Sequence, residues 1–302
     1  MTENSFSEIV EAGDVSTTSH FTNIEIVPTS GFSLLARARR YGRWWMLKGL
    51  KPDRRDSAYS MFLKKEFEIL MQLQHNNIVA ASSFEQVEGI GSCIVMEWID
   101  GITLGEWCQQ RHTVVEKMNI VWQIADALQY MHGKQIVHRD LKLSNIIVTR
   151  NGNNVKLIDF GLSDSETFCV LKIPAGTIGY MAPEQLQPGA KSAPCADIYS
   201  FGKVLEYMAE ATHCKSLARV GQKCAADECD RRPADIAQVR RLMTGKGRSL
   251  AVVNAVLVAL ALVLLVVIGV MMNARQTKQA GIVNADSASV GAVNKVIDSS
   301  LW

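Results

Sequence analysis

The stretch His138-Arg139-Asp140-Leu141-Lys142-Leu143-Ser144-Asn145 gathers a carboxylate, an ammonium, a hydroxyl and an amide within one short segment. Asp159-Phe160-Gly161 follows fourteen residues after Asn145, and Ala182-Pro183-Glu184 comes later. Asn145 and Asp159 offer hard oxygen donors of the kind magnesium prefers. Upstream, Lys48 ends the run Trp45-Met46-Leu47-Lys48, and Glu66 lies in Lys65-Glu66-Phe67-Glu68-Ile69-Leu70. Residues of these types suit phosphoryl transfer, which needs an aligned nucleophile and neutralisation of a polyphosphate's charge. Each tripeptide is weak alone; all three, in this order and spacing, leave little room for coincidence.

In these motifs the chain resembles the eukaryotic-type (Hanks-type) serine/threonine protein kinases over about residues 24–243. The resemblance implies that Asp140 orients the acceptor hydroxyl and takes its proton, that Lys142 contacts the transferring phosphoryl group, and that Asn145 and Asp159 hold magnesium. It implies that Lys48 binds the α- and β-phosphates and pairs with Glu66; Glu68 is the competing partner, set behind Glu66 because the family's glutamate stands three residues before the Ile-Leu pair. Met96-Glu97-Trp98-Ile99 resembles the adenine-binding connection between two lobes, with Met96 as gatekeeper. Thr177, in Ala175-Gly176-Thr177-Ile178-Gly179-Tyr180-Met181, matches a substrate-positioning threonine that bridges toward Asp140 and Lys142. Asp197 matches a buried aspartate that holds the catalytic loop's backbone, and Arg232 the late partner of Glu184. Ser163, Ser165, Thr167 and Thr177 are candidate regulatory phosphosites, with Arg139 as the residue that would pair with the phosphate. The implied cofactors are ATP and Mg2+, with Mn2+ as an alternative metal.

Two regions depart from the family. The phosphate-covering loop should read GxGxxG so that backbone amides approach the phosphates closely. Pro28-Thr29-Ser30-Gly31-Phe32-Ser33 keeps one glycine, Gly31, beside the aromatic Phe32; Ser33 and then Leu35 complete the expected nucleotide roof. Met46 stands where a small residue usually borders adenine. The late region is short: 35 residues separate Asp197 from Arg232, so a helix that often docks substrates is expected to be missing or reduced.

The elements that must position these residues follow from pattern. Ile24–Val27 and Phe32–Ala38 read as strands, Tyr41-Gly42-Arg43 as a turn, and Trp44–Leu47 as the return strand. A helix is predicted over 58–74 and a strand over Ser92–Trp98. Thr113 with Glu116 forms a capping box opening a helix, with Gly133 as its C-cap. Short strands at Ile146–Val148 and Val155–Ile158 bracket Asn151-Gly152, and helices follow near 195–210 and 233–243. The fold class expected is α+β, bilobal and kinase-like: a β-rich N-lobe at about 24–98 and a helical C-lobe at about 99–243. Residues 1–23 are polar, lack the apolar run of a secretory signal, and read as a flexible leader.

The chain has 302 residues, 21% of them charged, and a net charge of +2. That balance gives no support to a nucleic-acid binder. Seven cysteines at irregular spacing, with no CxxC, suggest reduced thiols rather than a disulfide framework or zinc ribbon. His213, Cys214, Cys224 and Cys229 lack the short paired spacing of a structural zinc site.

Leu250–Met272 is apolar on every side, with Asn254 its one strongly polar residue. Its 23 residues span about 35 Å as a helix, enough for a hydrocarbon core of roughly 30 Å. Arg240, Arg241, Lys246 and Arg248 precede it and only Arg275 and Lys278 follow closely, so its N-terminal side is expected in the cytoplasm. Residues 244–249 become a basic linker, 250–272 a single transmembrane helix, and 273–302 a short extracytoplasmic tail. Anchor and short late region together resemble bacterial members of the family.

The expectation is a membrane-anchored kinase acting on serine and threonine hydroxyls of proteins, autophosphorylation included, with the lipid bilayer as a second partner. The small residues of the span do not mark a dimer interface. The alternative is a membrane-tethered pseudokinase, a scaffold motivated by the degraded glycine loop. A small-molecule phosphotransferase is disfavoured by the stretch from Gly176 to Glu184.

Overall fold

The computed structural model describes residues 20–29, 31–161, 179–186, 193–244, 257–268 and 270–271. The chain divides into two units, residues 1–243 and 244–302.

The first part of unit one is a five-stranded sheet in the order β1-β2-β3-β5-β4, formed by β1 (Thr22–Val27), β2 (Ser33–Arg40), β3 (Arg43–Leu50), β4 (Ala81–Val87) and β5 (Gly91–Glu97). β1 begins two residues inside the expected leader. β2 and β3 pair without interruption from Ser33↔Leu50 to Arg40↔Arg43. The two-residue connection puts Tyr41 at φ 51° and Gly42 at φ 75°, the left-handed pair that matches the twist of a tight hairpin. The register decides which side chains meet. Leu35 lies opposite Lys48, and Met46 lies between Arg37 and Met96. Because side chains alternate across a strand, these five share one face. The other face buries Ala36, Ala38, Leu47, Cys93 and Val95 with Val87 and Ile90 in a separate small core.

Helix α1 (Ser57–Leu70) starts where the Asp56 carboxylate accepts the Tyr59 N–H at 3.0 Å. Phe62, Leu63, Glu66 and Leu70 recur at three- and four-residue steps and are all buried, which turns Glu66 inward. The predicted helix over 58–74 therefore ends sooner, at Leu70.

The second part of unit one is mainly helical. A small sheet, β6 (Gly101–Thr103), β7 (Ile146–Thr149) and β8 (Val155–Leu157), borders α2 (Leu104–Cys108) and α3 (Val114–Gly133). The Thr113–Glu116 capping box is present: the Glu116 N–H donates to Thr113 Oγ1 at 3.2 Å and the Thr113 N–H to Glu116 Oε2 at 2.8 Å. Ile120, Val121, Ile124, Ala127, Leu128 and Met131 make α3 the spine of the main core. Gly133 is the last helical residue, not the cap; Lys134 closes α3, and Gln135 takes the left-handed conformation at φ 62°.

Three helices follow: α4 (Pro194–Thr212), α5 (Lys215–Cys224) and α6 (Ile236–Thr244). Pro194 opens α4 without needing an N–H, and His213 ends it at φ 52°. The sequence reading lacks α5. It packs closely on α4 because both helices present glycine at the crossing. A methyl group on Gly202 would come within 2.6 Å of the Ala225 nitrogen, and one on Gly221 within 2.9 Å of Glu206 Cγ. The expectation of reduced thiols also needs correction: Cys195 and Cys229 form a disulfide across a separation of 34 residues, with Cα atoms 5.9 Å apart. Long-range pairing of this kind leaves no mark in local spacing. It also takes Cys229 out of the weighed metal cluster, and Cys224 is buried in α5.

The two parts are stitched behind the cleft. The Val79 N–H donates to the Leu157 carbonyl at 3.0 Å and the Leu157 N–H to the Asn77 carbonyl at 2.8 Å, a one-residue parallel bridge. Asn77 Nδ2 donates to Gln123 Oε1 at 2.7 Å and to the Val155 carbonyl at 2.9 Å. Gln123 Oε1 also accepts the Val155 N–H at 2.8 Å.

In unit two, residues 257–268 are helical and every one of their side chains is exposed. Among the described residues no helix is long and apolar enough to cross a membrane. Residues 250–256, 269 and 272 of the expected span, 245–249 of the linker and the 273–302 tail lie outside the described residues.

Candidate active site

Lys48 stands on β3, on the face shared with Leu35 and Met46, and its ammonium lies between two carboxylates. Nζ donates to Glu66 Oε1 at 2.6 Å and to Asp159 Oδ1 at 2.8 Å. Lys48 and Glu66 are both buried, whereas the Asp159 side chain is 46% exposed. Glu66 Oε1 also accepts the Phe160 N–H at 3.1 Å, so α1 is tied to the segment that carries Asp159. Glu68 is exposed and pairs with Lys65. Burial alone would lower the Lys48 pKa, but the Asp159 and Glu66 carboxylates outweigh it and hold the ammonium above its ordinary value. The same ammonium pulls Asp159 down to about 2. Asp159 is therefore a carboxylate with open access and a fixed negative charge.

The second cluster sits on the loop before β7. Lys142 Nζ donates to Asp140 Oδ2 at 2.7 Å, and Asn145 Nδ2 donates to the Asp140 carbonyl at 2.9 Å and to Oδ2 at 3.0 Å. Leu143–Asn145 form a 3-10 turn, and the Ile158 N–H donates to the Asn145 carbonyl at 3.0 Å. That bond links this loop to the residue just before Asp159.

Arg139 adopts φ 68° and Asp159 φ 66°, left-handed conformations that cost a non-glycine residue about 1–3 kcal/mol each. Arg139 is held from both sides. Asp197 accepts the N–H groups of His138 and Arg139, each at 2.8 Å, and the His132 ring at 2.9 Å. Burial would raise the Asp197 pKa, but the His132 ring and the His138 N–H outweigh it and leave it below the ordinary carboxyl range. On the other side, Gln185 Nε2 donates to the Arg139 carbonyl at 3.2 Å while its Oε1 accepts the Ala182 N–H at 3.0 Å. The His138 ring packs tilted against Phe160, ring centroids 4.9 Å apart.

Glu184 and Arg232 meet in a two-pronged ion pair at 2.6 and 2.8 Å. Arg232 also donates to the carbonyls of Ala226, Asp227 and Cys195. Thr177, Ser163, Ser165 and Thr167 lie outside the described residues.

Along the rest of the cleft, Met96 is buried beside Met46, so two methionines border the expected adenine position. The Glu97 N–H donates to the Ala80 carbonyl at 3.0 Å. Its carboxylate turns away to Lys156 at 2.6 Å and to the Ala80 N–H at 2.9 Å. The Arg37 guanidinium lies 5.6 Å from the Trp98 ring, and Ile99 packs on the main core. Phe32 rests against Tyr59 of α1, with centroids 5.3 Å apart, and its carbonyl accepts the Lys51 N–H. An added methyl group on Gly31 would meet nothing within 4 Å. The loop's fold does not demand glycine there; any demand comes from a ligand.

Asp159 and Asn145 fit a magnesium ion by donor chemistry: one ionised carboxylate and one amide oxygen. Sequence reasoning missed His132, Gln123, Gln185 and the two bonded cysteines. All five act through residues far along the chain, and only Gln185, directly after Ala-Pro-Glu, stood next to a motif.

The profile of a family described as "Protein kinase domain" matches residues 29–238. Serine/threonine-protein kinase PrkC of Bacillus subtilis (strain 168) is 34% identical over 155 residues, covering 50% of this chain and 24% of that protein. NUAK family SNF1-like kinase 2 of Homo sapiens is 32% identical over 182 residues, covering 57% of this chain and 28% of that protein. The chain thus spans about a quarter of the length of these curated relatives. The crystal structure of the Mycobacterium tuberculosis PknI kinase domain superimposes with a TM-score of 0.59 over 76% of this chain and 97% of that one, at 21% identity, a likeness of fold.

Proposed function

This chain belongs to the protein kinase domain family, and on that premise we propose that it is an ATP-dependent serine/threonine protein kinase anchored in a membrane by one helix. The observation that carries the reading is Lys48 bridging Glu66 and Asp159 while the loop through Asn145 ties Asp140 and Lys142 to the same segment. Lys48, Glu66, the Asp140–Asn145 loop and Asp159, from distant stretches of the chain, together supply charges that could hold a polyphosphate.

Asp140 orients the acceptor hydroxyl and takes its proton; Lys142, already on its carboxylate, faces the transferring phosphoryl group. Lys48 holds the α- and β-phosphates, and Glu66 fixes Lys48. Asn145 and Asp159 would hold magnesium, whose chemistry there is to neutralise phosphate charge. Met96 to Ile99 receive adenine, and Gly31, Phe32, Ser33 and Leu35 cover the nucleotide. Thr177 positions the protein substrate. Phosphate on Ser163, Ser165, Thr167 or Thr177, placed by autophosphorylation, is read by Arg139.

The anchor is residues 250–272, with the kinase domain on the cytoplasmic side and residues 273–302 outside. It is supported by the exposed apolar helix over 257–268 and by the basic residues that precede it.

The test is phosphate transfer. Full-length protein in detergent, with labelled ATP, magnesium and a generic basic protein, transfers label to the protein substrate, and the Asp159→Ala protein does not. Equal background label in both removes the reading. The second reading, a tethered scaffold, is motivated by the single glycine of the phosphate loop and by Met46; it predicts nucleotide binding with no transfer. Resistance to alkaline extraction tests the anchor separately, and release of the chain in carbonate rejects it.

A further inference from the structure

We propose that Cys195 and Cys229 are a reversible redox site that sets how firmly the segment Met181–Leu186 is fixed against the loop carrying Asp140. The argument rests on Arg232. Its N–H donates to the Cys229 carbonyl at 3.2 Å, and its Nη1 donates to the Cys195 carbonyl at 2.9 Å. The carbonyls of both bonded cysteines therefore hold Arg232, the partner of Glu184: Cys229 at its backbone N–H and Cys195 at its guanidinium. Cys195 Sγ itself lies 3.6 Å from Glu184 Oε1. Glu184 is followed by Gln185, which bonds the Arg139 carbonyl next to Asp140. The path from sulfur to the catalytic loop is three residues long, and hydrogen bonds made by Arg232 and Gln185 carry it.

The site is built to react. Cys229 is exposed, on the short 3-10 turn Cys229–Arg231, and Cys195 is half-buried at the start of α4. An exposed disulfide is open to attack by solution thiols. The buried thiols are poor competitors: burial pushes Cys93 and Cys224 up to about 12 and Cys108 up to about 11. On the cytoplasmic side, where the proposed function puts this domain, a bond of this kind is formed and broken rather than kept.

The reagents are small-molecule disulfides and thiols. The Cys229 thiolate attacks one sulfur of the small disulfide, whose S–S bond breaks and releases one thiolate. The Cys195 thiolate then attacks the Cys229 sulfur of the mixed disulfide and releases the second. The protein loses two electrons and two protons, and the reagent gains both as two thiols. Reduction runs the same steps backwards.

The experiment places the full chain in detergent in buffers of oxidised and reduced glutathione, with peptide mapping and amide hydrogen exchange as readouts. The oxidised protein yields the Cys195–Cys229 cross-linked peptide, and exchange at Ala182 and Gln185 is about tenfold slower than in the reduced protein. Cys229→Ser stays in fast exchange in both buffers, and Cys195→Ala repeats that result from the other side, whereas Cys214→Ser switches like the parent. Identical exchange in the two buffers, or oxidation that links other cysteines, overturns the proposal. Phosphate transfer measured alongside separates the two readings: exchange that switches in a protein without transfer rejects the kinase and keeps the redox site, and transfer with unswitched exchange does the reverse.

Discussion

Lys48 and Arg232 are both buried cations bound to a carboxylate, yet they are built to different ends. Arg232 sets its guanidinium against Glu184 twice and against three backbone carbonyls, so its bonding is complete within the protein. Lys48 meets two carboxylates, and one of them, Asp159, is half open to solvent. The contrast follows from the cations. A planar guanidinium fills a fixed fork of partners and keeps its charge; an ammonium is a compact point charge whose partners can be exchanged. The rear pair is a joint. The front pair is a socket whose occupant can change.

The comparison is broken most severely by a substitution that should leave both pairs standing. Asp140→Asn keeps the size of the side chain and removes the acceptor of the proton. Phosphate transfer should fall by about 10²–10⁴-fold, the usual worth of a general base, with stability within about 1 kcal/mol of the parent. Initial rates beside a denaturation curve check it; an active Asp140→Asn protein would remove the assigned role.

Arg232→Met attacks the joint. It strands Glu184 and three carbonyls, so unfolding free energy should drop by about 3–5 kcal/mol. Glu184→Gln in the same background should recover part of that loss, because the stranded charge goes with it. A loss below about 1 kcal/mol would show that the pair does not hold the segment.

Gly221→Ala probes the packing that carries the rear joint. The added methyl group meets Glu206 and the Gly202 carbonyl, and overpacking of this kind costs about 1–3 kcal/mol. The midpoint of urea unfolding reads it, and an unchanged midpoint means α5 can shift away.

The smallest effect belongs to the socket. Asp159→Asn removes an ion pair that is half in solvent, worth roughly 1 kcal/mol after screening. The folded carboxyl is depressed to about 2 from an ordinary 3.8. Its contribution is therefore complete above the ordinary value and fades as pH falls toward the folded one. The stability gap between parent and variant should stay constant from pH 8 to about pH 5 and close only below about pH 4. A gap that closes near neutrality would mean another group titrates there.

How far the sequence announces this structure depends on the range of the interaction. Lys48, Asp140, Asn145 and Asp159 stand in short motifs that are legible along the chain; the structure pairs Lys48 with Asp159 and Asn145 with Asp140, and joins the two pairs through the Ile158 N–H on the Asn145 carbonyl. Tyr41-Gly42 and the Thr113–Glu116 box are legible because turns and caps are settled within four residues. Two features were legible and overlooked. Thr103 and Glu106 repeat the capping box that opens α2. Leu217, Val220, Gly221 and Cys224 form the buried stripe of α5, and the polar residues between them hid it. The remainder was not local at all. Nothing near Cys195 names Cys229, and Gln123 reads as an ordinary helix glutamine until Asn77 and Val155 arrive on it from other elements.

The seam at Asn77, Gln123 and Leu157 has a mechanical consequence. With backbone bonds running both ways between Asn77–Val79 and Leu157, and an amide clamp beside them, the sheet cannot slide over the helices without rupturing all of them. What it can do is tilt. The seam is then a fulcrum and the β2–β3 ribbon a lever arm, with Gly31 and Phe32 just before the start of β2. A small rotation at the pivot would become a wider swing at the tip, so movement of Gly31 and Phe32 would need little bending at the seam.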